Sequence, residues 1–531
     1  MKQFKMMSLM LTAALALGLT ACSNDDENIA RGDDGTGSYM RISIAVPNDG
    51  SATRAATPDD SEDYDLGTED EQKVNTATLY FFSSSDKKLK KVETVTSFVK
   101  QAGTPVNNSS EASGSTAYYS SGEVKINLVP GSYDVYAIIN GKLKVDAVEG
   151  TTTESDVAEM LLNNAAPANV VPAGGIPMSS RTTAGVPYAT VEVVEGAEYT
   201  KANPLEFSLT VERAFAKITI KENHNGSTAD NTFDIYYNVD ESTTAKYGSI
   251  EIVSATAVGL MNTSYAFRQV GQLTEALTSI ANRGYGKLTV EATADNSYYL
   301  LDPLVLEKKD ASTNPVLSIP VTNGTEVIMP GNGDGAKVVS YALENAQYRT
   351  QQYKNFGTGV RFKAKIKPAE NNTDGQVRGE TDGVYAAHAD GAAIVYYNGH
   401  LYSSVAAVRA WNTELANETD FPTELLKEKY GLVQYPNDNC YYFFYPRHWD
   451  NNSTAMGPNE FITCRNNLYS LKVADILKPG KPAKTTPSGD PDPDPDPDPD
   501  PEPKEDSDVF IKVTMNVKPW IVRANENIIL K

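Results

Sequence analysis

The chain has 531 residues and a formal net charge of −22, from 47 Lys and Arg against 69 Asp and Glu. At ~150 residues per domain the length suits two or three domains. The acidic balance argues against nucleic acid and anionic lipid as partners, since both need clustered Lys/Arg. Tyr (29) far outnumbers Trp (3), a mix that favours β-sheet with polar loops over helical bundles.

The elements begin with an export signal. Lys2 and Lys5 form a positive start, and Met6 to Leu19 is an apolar stretch too short for a stable transmembrane anchor. It closes on Leu19-Thr20-Ala21-Cys22, which resembles a bacterial lipobox. That resemblance implies cleavage before Cys22 and acylation of its thiol, palmitate included, with several chains giving stable attachment. An ordinary secretory signal with a chance cysteine is the alternative. The acidic run Ser23-Asn24-Asp25-Asp26-Glu27 resembles the surface-export signal of lipoproteins in Bacteroides-like bacteria. An exported lipoprotein at the outer membrane is expected.

Residues 23–38 are polar and read as disordered. Met40, Ile42, Ile44 and Val46 then alternate with mostly polar residues, a one-faced strand that Pro47 stops. The loop after it carries a single Arg, Arg54, in the kind of segment proteases cut most easily. Thr76 to Phe82 is rich in strand formers. Val124 to Ile139 reads as a hairpin turning at Pro130-Gly131. A short helix is expected over Ser155 to Asn164, with Thr153 and Asp156 at capping-box spacing. In residues 205–220 the alternation changes phase, from Leu205, Phe207, Leu209 and Val211 to Ala214, Ala216, Ile218 and Ile220. A one-residue slip flips the buried face, so a bulge or a junction between two strands lies there, and a domain boundary beside it. Further on, Val360 to Ile366 reads as a half-buried strand, Asn398-Gly399 as a two-residue hairpin turn, and 405–430 as interrupted helix. The strand-like stretches cluster without βαβ alternation, so sandwich-like β domains fit best.

Catalytic motifs are missing. His224, His388, His400 and His448 have no metal-ligand spacing, and the glycine-containing stretches at 284–287 and 331–337 do not match a phosphate loop. No catalytic residue, metal site or cofactor is expected. Cys440 and Cys464 could form one disulfide or stay as two separately buried thiols.

The end of the chain is a spacer followed by a strand. Alternating Asp and Pro from Asp490 to Pro503 favour polyproline II, whose rise of ~3.1 Å per residue gives a semi-rigid reach of about 40 Å. Successive carboxylates diverge on such a helix, so no calcium site is expected. Val509, Ile511, Val513, Met515 and Val517 then alternate with mostly polar residues up to Pro519, and Trp520 follows in a second short segment. Both ends of the protein thus carry a strand with one apolar face. If Arg54 is cut, the first strand leaves with the lipid, and a tethered strand from a neighbour could fill the gap by strand addition. Repeated head to tail, that contact builds a filament.

These residues resemble the type V fimbrial subunits of Bacteroidales, the FimA/Mfa stalk pilins. The matching stretches are "LTAC" at 19–22, "GSATRAA" at 50–56, "VERAFAKITI" at 211–220, "GVRFKAKI" at 359–366, "RNNLYSLKV" at 465–473 and the tail "VFIKVTMNVKPWIV". The resemblance implies a mainly β chain of two transthyretin-like β-sandwich domains with minor helices, plus a tethered donor strand. It also implies a non-enzymatic subunit that an Arg-specific protease trims between Arg54 and Ala55 before donor-strand exchange builds a fimbrium for adhesion and biofilm. The division carried over is signal peptide 1–21, propeptide 22–54 with the displaced strand, domains 55–210 and 211–477, spacer 478–508 and donor segment 509–531. Partners are then other copies head to tail, accessory and anchor subunits, the protease and, before processing, the outer membrane. The alternatives are an anchor or accessory subunit, or a glycan-binding lipoprotein that keeps its lipid and exposes an aromatic platform, which Tyr441 to Tyr445 could supply, although a buried strand is the better reading of those residues.

Overall fold

In the computed structural model the described residues are 38–46, 68–101, 117–163, 166–182, 185–222, 224–225, 228–229, 231–238, 244–273, 280–285, 298–305, 321–331, 333–347, 357–416, 430–448, 459–483 and 511–519. They are mainly β, in several sheets, with a few short helices. In the first half, a ten-stranded arrangement divides into two sections that share the strand Leu205–Arg213. Residues 205–210 pair in parallel with Met40 to Ala45, and 211–213 pair antiparallel with Met178–Ser180. Phe98–Gln101, Ala117–Ser121 and Tyr39–Val46 belong to the first section. Leu89–Val95, Ala77–Ser83, Gly131–Ile139 and Met178–Ser180 belong to the second. Their inward side chains meet in one core, where Met40, Ile42, Ile44 and Val46 share a cluster with Leu79, Phe81, Val135 and Ile139. This is sandwich packing, in which every second residue of a strand points inward.

The phase change in 205–220 is a junction. One strand ends at Arg213, Ala214 and Phe215 are buried, and Ala216–Ile220 begins in a different sheet. There it lies between Lys337–Ala342 and Asn467–Ile476. This four-stranded sheet shares a core with a six-stranded one containing Thr244–Val258, Gly359–Pro368 and Asn439–Phe444, through Ile218, Ile250, Phe362, Ile366 and Leu471.

At the Asn398-Gly399 turn, Tyr397 pairs with His400, and φ values of 46° and 78° are the two left-handed conformations a type I′ hairpin needs. Thr153 and Asp156 form the expected capping box, but the helix is only Glu154–Glu159, and Leu162 already bridges to Leu143. The hairpin expected over 124–139 does not form. Val124–Lys125 pairs with Tyr39 and Met40, while Gly131–Ile139 pairs with Ala77–Ser83 and Tyr188–Val193. Tyr133 to Ile139 are buried on both faces, as in a strand inside the fold, and their backbone finds ladder partners on both edges in place of a hairpin mate. Of the stretch 405–430, Val405–Trp411 and Thr413–Ala416 are helical, and 417–429 lie outside the described residues.

Two pairs of alternatives resolve to the buried one. Cys440 and Cys464 form no disulfide: both are free and buried, Cys440 in the core of the second half and Cys464 in a separate cluster with Tyr265 and Leu300. Burial pushes the thiol of Cys440 up to about 12 and that of Cys464 up to about 11, so both stay protonated and inert. The aromatic run is no exposed platform either. Asn439–Phe444 is a strand of the six-stranded sheet, with Tyr441 and Tyr442 buried and Tyr445 half-buried.

The C-terminal strand has returned to its own molecule. Ile511–Pro519 lies antiparallel on Asn467–Ile476, at the outer edge of the four-stranded sheet. A long connection adds little closure entropy, so the strand can satisfy its ladder on an open edge of its own sheet.

Candidate functional site

The N-terminal strand occupies a central slot. Met40 to Ala45 run parallel to Leu205 to Thr210 on one side. On the other, Ser43 to Val46 pair antiparallel with Ala117 to Ser120, and Tyr39 and Met40 with Lys125 and Val124. The backbone N–H of Tyr39 also donates to the Tyr199 carbonyl at 2.8 Å, and that of Ile42 to Ser121 Oγ at 3.0 Å. Met40, Ile42 and Ile44 have no exposed surface, and Val46 has 1%.

The outward face is charged only near its start. Arg41 donates to Glu206 and to Glu123, each at 2.5 Å, one carboxylate from either side of the slot. These bonds hold the Glu123 carboxyl below its usual range and raise the guanidinium further, the Glu123 hydrogen bond being the largest cause of each shift. Ser43 and Ala45, the next two outward residues, are nearly covered. Removing Tyr39 to Val46 would therefore leave a groove with unpaired ladder groups on both walls, an apolar floor and two acids at one end.

The edge strand is held less firmly. Among the described residues it has one ladder neighbour, Ile511 is buried in the second core, and Val513 and Met515 are partly buried against that core. Val517 lies in the ladder opposite Tyr469. Cys22, Arg54, Ala55, Val509 and Trp520 lie outside the described residues.

Sequence reasoning missed the charged residues that join the two halves. Glu71 is fully buried and accepts hydrogen bonds from the Thr68 backbone, Lys217 Nζ and the Tyr341 hydroxyl, while Arg213 donates to its carbonyl. The Thr68-x-x-Glu71 capping-box spacing could have flagged it. Arg465 pairs with Glu344 at 2.7 Å and donates to the Ala266 and Tyr265 carbonyls and to Ser264 and Ser179. Glu212 sits between Arg181 and Arg268, 3.4 Å from each. Glu212, Arg213, Lys217 and Arg465 thus come from "VERAFAKITI" and "RNNLYSLKV": what these stretches supply here is a buried charged joint. Among the described residues no group of three or more His, Cys, Asp or Glu could hold a metal ion.

Comparison with known proteins places the chain. Residues 40–234 match the family model of the major fimbrial subunit protein (FimA). Residues 433–526 match that of the major fimbrial subunit protein type IV, fimbrillin, C-terminal. No curated protein matches. Similar solved structures include a FimA fimbrilin from Porphyromonas gingivalis, at 14% identity and TM-score 0.34, with 91% of this chain and 99% of that one covered. The tip fimbrial protein Mfa3 from the same organism, truncated at its C-terminus, shows 10% identity and TM-score 0.32 over 91% of this chain and 100% of that one. A protein described as a cell-adhesion protein from Parabacteroides distasonis shows 12% identity and TM-score 0.35 over 92% and 98%. Both models are of major fimbrial subunit proteins and together match more than half of the 531 residues, so this chain belongs to the FimA-type family of structural, non-enzymatic subunits of the cell-surface fimbrium.

Proposed function

We propose that this subunit assembles into a fimbrial stalk by donor-strand exchange once an Arg-specific protease has cut between Arg54 and Ala55. In this reading Cys22 is acylated, the lipoprotein reaches the outer membrane surface, and the cut releases residues 22–54 with Tyr39–Val46. Residues 55–210 and 211–477 remain as two sandwich domains, and 478–508 is the spacer that carries 509–531 to a neighbour. Adhesion and biofilm are then properties of the filament, with accessory and anchor subunits at its ends.

The carrying observation is the central position of the first strand, paired on both sides and sealed by four buried apolar residues. Fully burying such side chains is worth ~1.5–3 kcal/mol each. Against a typical domain stability of ~5–15 kcal/mol, losing all four would leave a subunit that must be re-completed. The fold tolerates the cut itself, because Glu71 ties the following segment to Lys217, Arg213 and Tyr341.

The test uses the full chain treated with an Arg-specific protease. Cut protein should form a ladder of oligomers, and cut protein lacking residues 509–531 should stay monomeric. Polymerisation of the truncated protein would remove the donor assignment. An anchor subunit is the second reading, and a chain whose Arg54 resists the protease on the cell surface would favour it.

A further inference from the structure

We propose that the groove vacated by residues 40–46 receives residues 511–517 of a second copy of this chain, in the same direction and in one register, with Lys512 taking the place of Arg41 between Glu123 and Glu206. This rests on the assembly reading above and adds to it a polarity, a register and the charged contact that selects them. In chain order the two segments are Met40-Arg41-Ile42-Ser43-Ile44-Ala45-Val46 and Ile511-Lys512-Val513-Thr514-Met515-Asn516-Val517. Apolar meets apolar at four positions, basic meets basic, hydroxyl meets hydroxyl, and only Ala45 and Asn516 differ in kind.

The outward positions discriminate between placements. Position 41 has room and two carboxylates, and the Arg41 side chain keeps 31% of its surface exposed there. Positions 43 and 45 are tight, with Ser43 at 8% and Ala45 at 9% exposure. Sliding the donor two residues one way sets Phe510 between the carboxylates and Lys512 at the Ser43 position. Sliding it two residues the other way sets Lys518 at the Ala45 position and Pro519 inside the ladder in place of Val46. Reversing its direction brings Lys512 to the Ala45 position and Asn516 between the carboxylates. Each alternative covers an ammonium away from the acids, which is expensive, and Pro519 in a central strand loses a ladder bond. One-residue slips turn the apolar face outward.

The register predicts a specific contact. Val46 pairs with Ala117, so Val517 of the donor should too. In the free subunit Val517 pairs instead with Tyr469 of its own chain. The cut at Arg54 also removes Cys22, and Cys440 and Cys464 are buried, so introduced thiols are the reactive ones. The full chain carrying Ala117→Cys and Val517→Cys is cut after Arg54 and mildly oxidised. It should give a covalent, reductant-sensitive ladder, whereas Ala117→Cys with Met515→Cys or with Ile511→Cys should not. A two-residue shift moves the sulfur by about 7 Å, beyond disulfide reach.

A ladder from either control pair, a disulfide closed within one monomer, or no link in any pair while the unsubstituted protein assembles overturns the register. In parallel, Lys512→Glu should cut the yield of oligomers about tenfold or more, since it sets three carboxylates together. Adding Glu123→Lys and Glu206→Lys should restore it, and an undiminished yield with Lys512→Glu alone overturns the charged contact. If the cut, unsubstituted protein forms no oligomers, the assembly reading itself fails and the register with it.

Discussion

Arg465 shows how single residues join this molecule. Its guanidinium is wholly buried, pairs with Glu344, and reaches both Ser179 in the first half and Tyr265 in the second. Removing one member of a buried pair leaves the other charge uncompensated, a loss of about 3–5 kcal/mol. Arg465→Met should lower stability by that amount in denaturant titration, and adding Glu344→Gln should recover part of it. A loss no larger than a surface substitution would contradict the joint. A second cluster gives a pH dependence. Burial and the hydrogen bond with Asp134 push Glu154 up to about 7, while Asp134 stays low because hydrogen bonds from Lys87 and Thr190 outweigh its own burial. The folded chain therefore keeps a proton on Glu154 that the unfolded chain, at its ordinary 4.5, has released. Stability should fall as pH rises from about 4.5 to about 7 and then level off. Glu154→Gln should flatten that part of the profile of thermal midpoint against pH, and an unchanged slope would assign it elsewhere.

Among the elements, the two terminal strands differ in how they are held, and that difference would give the proposed exchange a direction. Among the described residues, Tyr39–Val46 has ladder partners on both sides and Ile511–Pro519 on one. A strand moving from an edge into a central groove gains a second row of hydrogen bonds, each worth about 0.5–1.5 kcal/mol net, besides fuller burial of its side chains. In native-state hydrogen exchange of the uncut protein, amides of 511–519 should open well before those of 39–46. Equal protection would mean the tail is locked where it lies. Period-two alternation made both strands legible in the sequence, because it reports which side chains a strand buries. It could not report neighbours. Alternation makes Gly131–Ile139 look like half of a hairpin, yet Tyr133 to Ile139 are buried on both faces and the strand takes its partners from 77–83 and 188–193. Glu123 and Glu206 were invisible for the same reason, since 83 residues separate them in the chain and only the strand between them brings them together.

At the scale of the whole molecule, two β sandwich cores are joined by a shared apolar cluster, with Phe82 and Tyr136 against Phe267 and Leu468, and by buried charge, and an acidic Asp-Pro spacer separates the last strand from them in sequence. The family-like stretches spread along the chain made the kind of protein readable, whereas the residence of the tail on its own sheet depends on an edge that no local pattern advertises. In the proposed assembly, a subunit whose last strand lies on its own edge and whose groove stays filled until the cut would have both parts of the joint covered beforehand. The most direct test of this account is the N-terminal sequence of the protein in fimbriae sheared from cells. Ala55 as the first residue is the predicted result. An acylated Cys22 on the assembled protein would contradict it, because the first strand would still fill the groove.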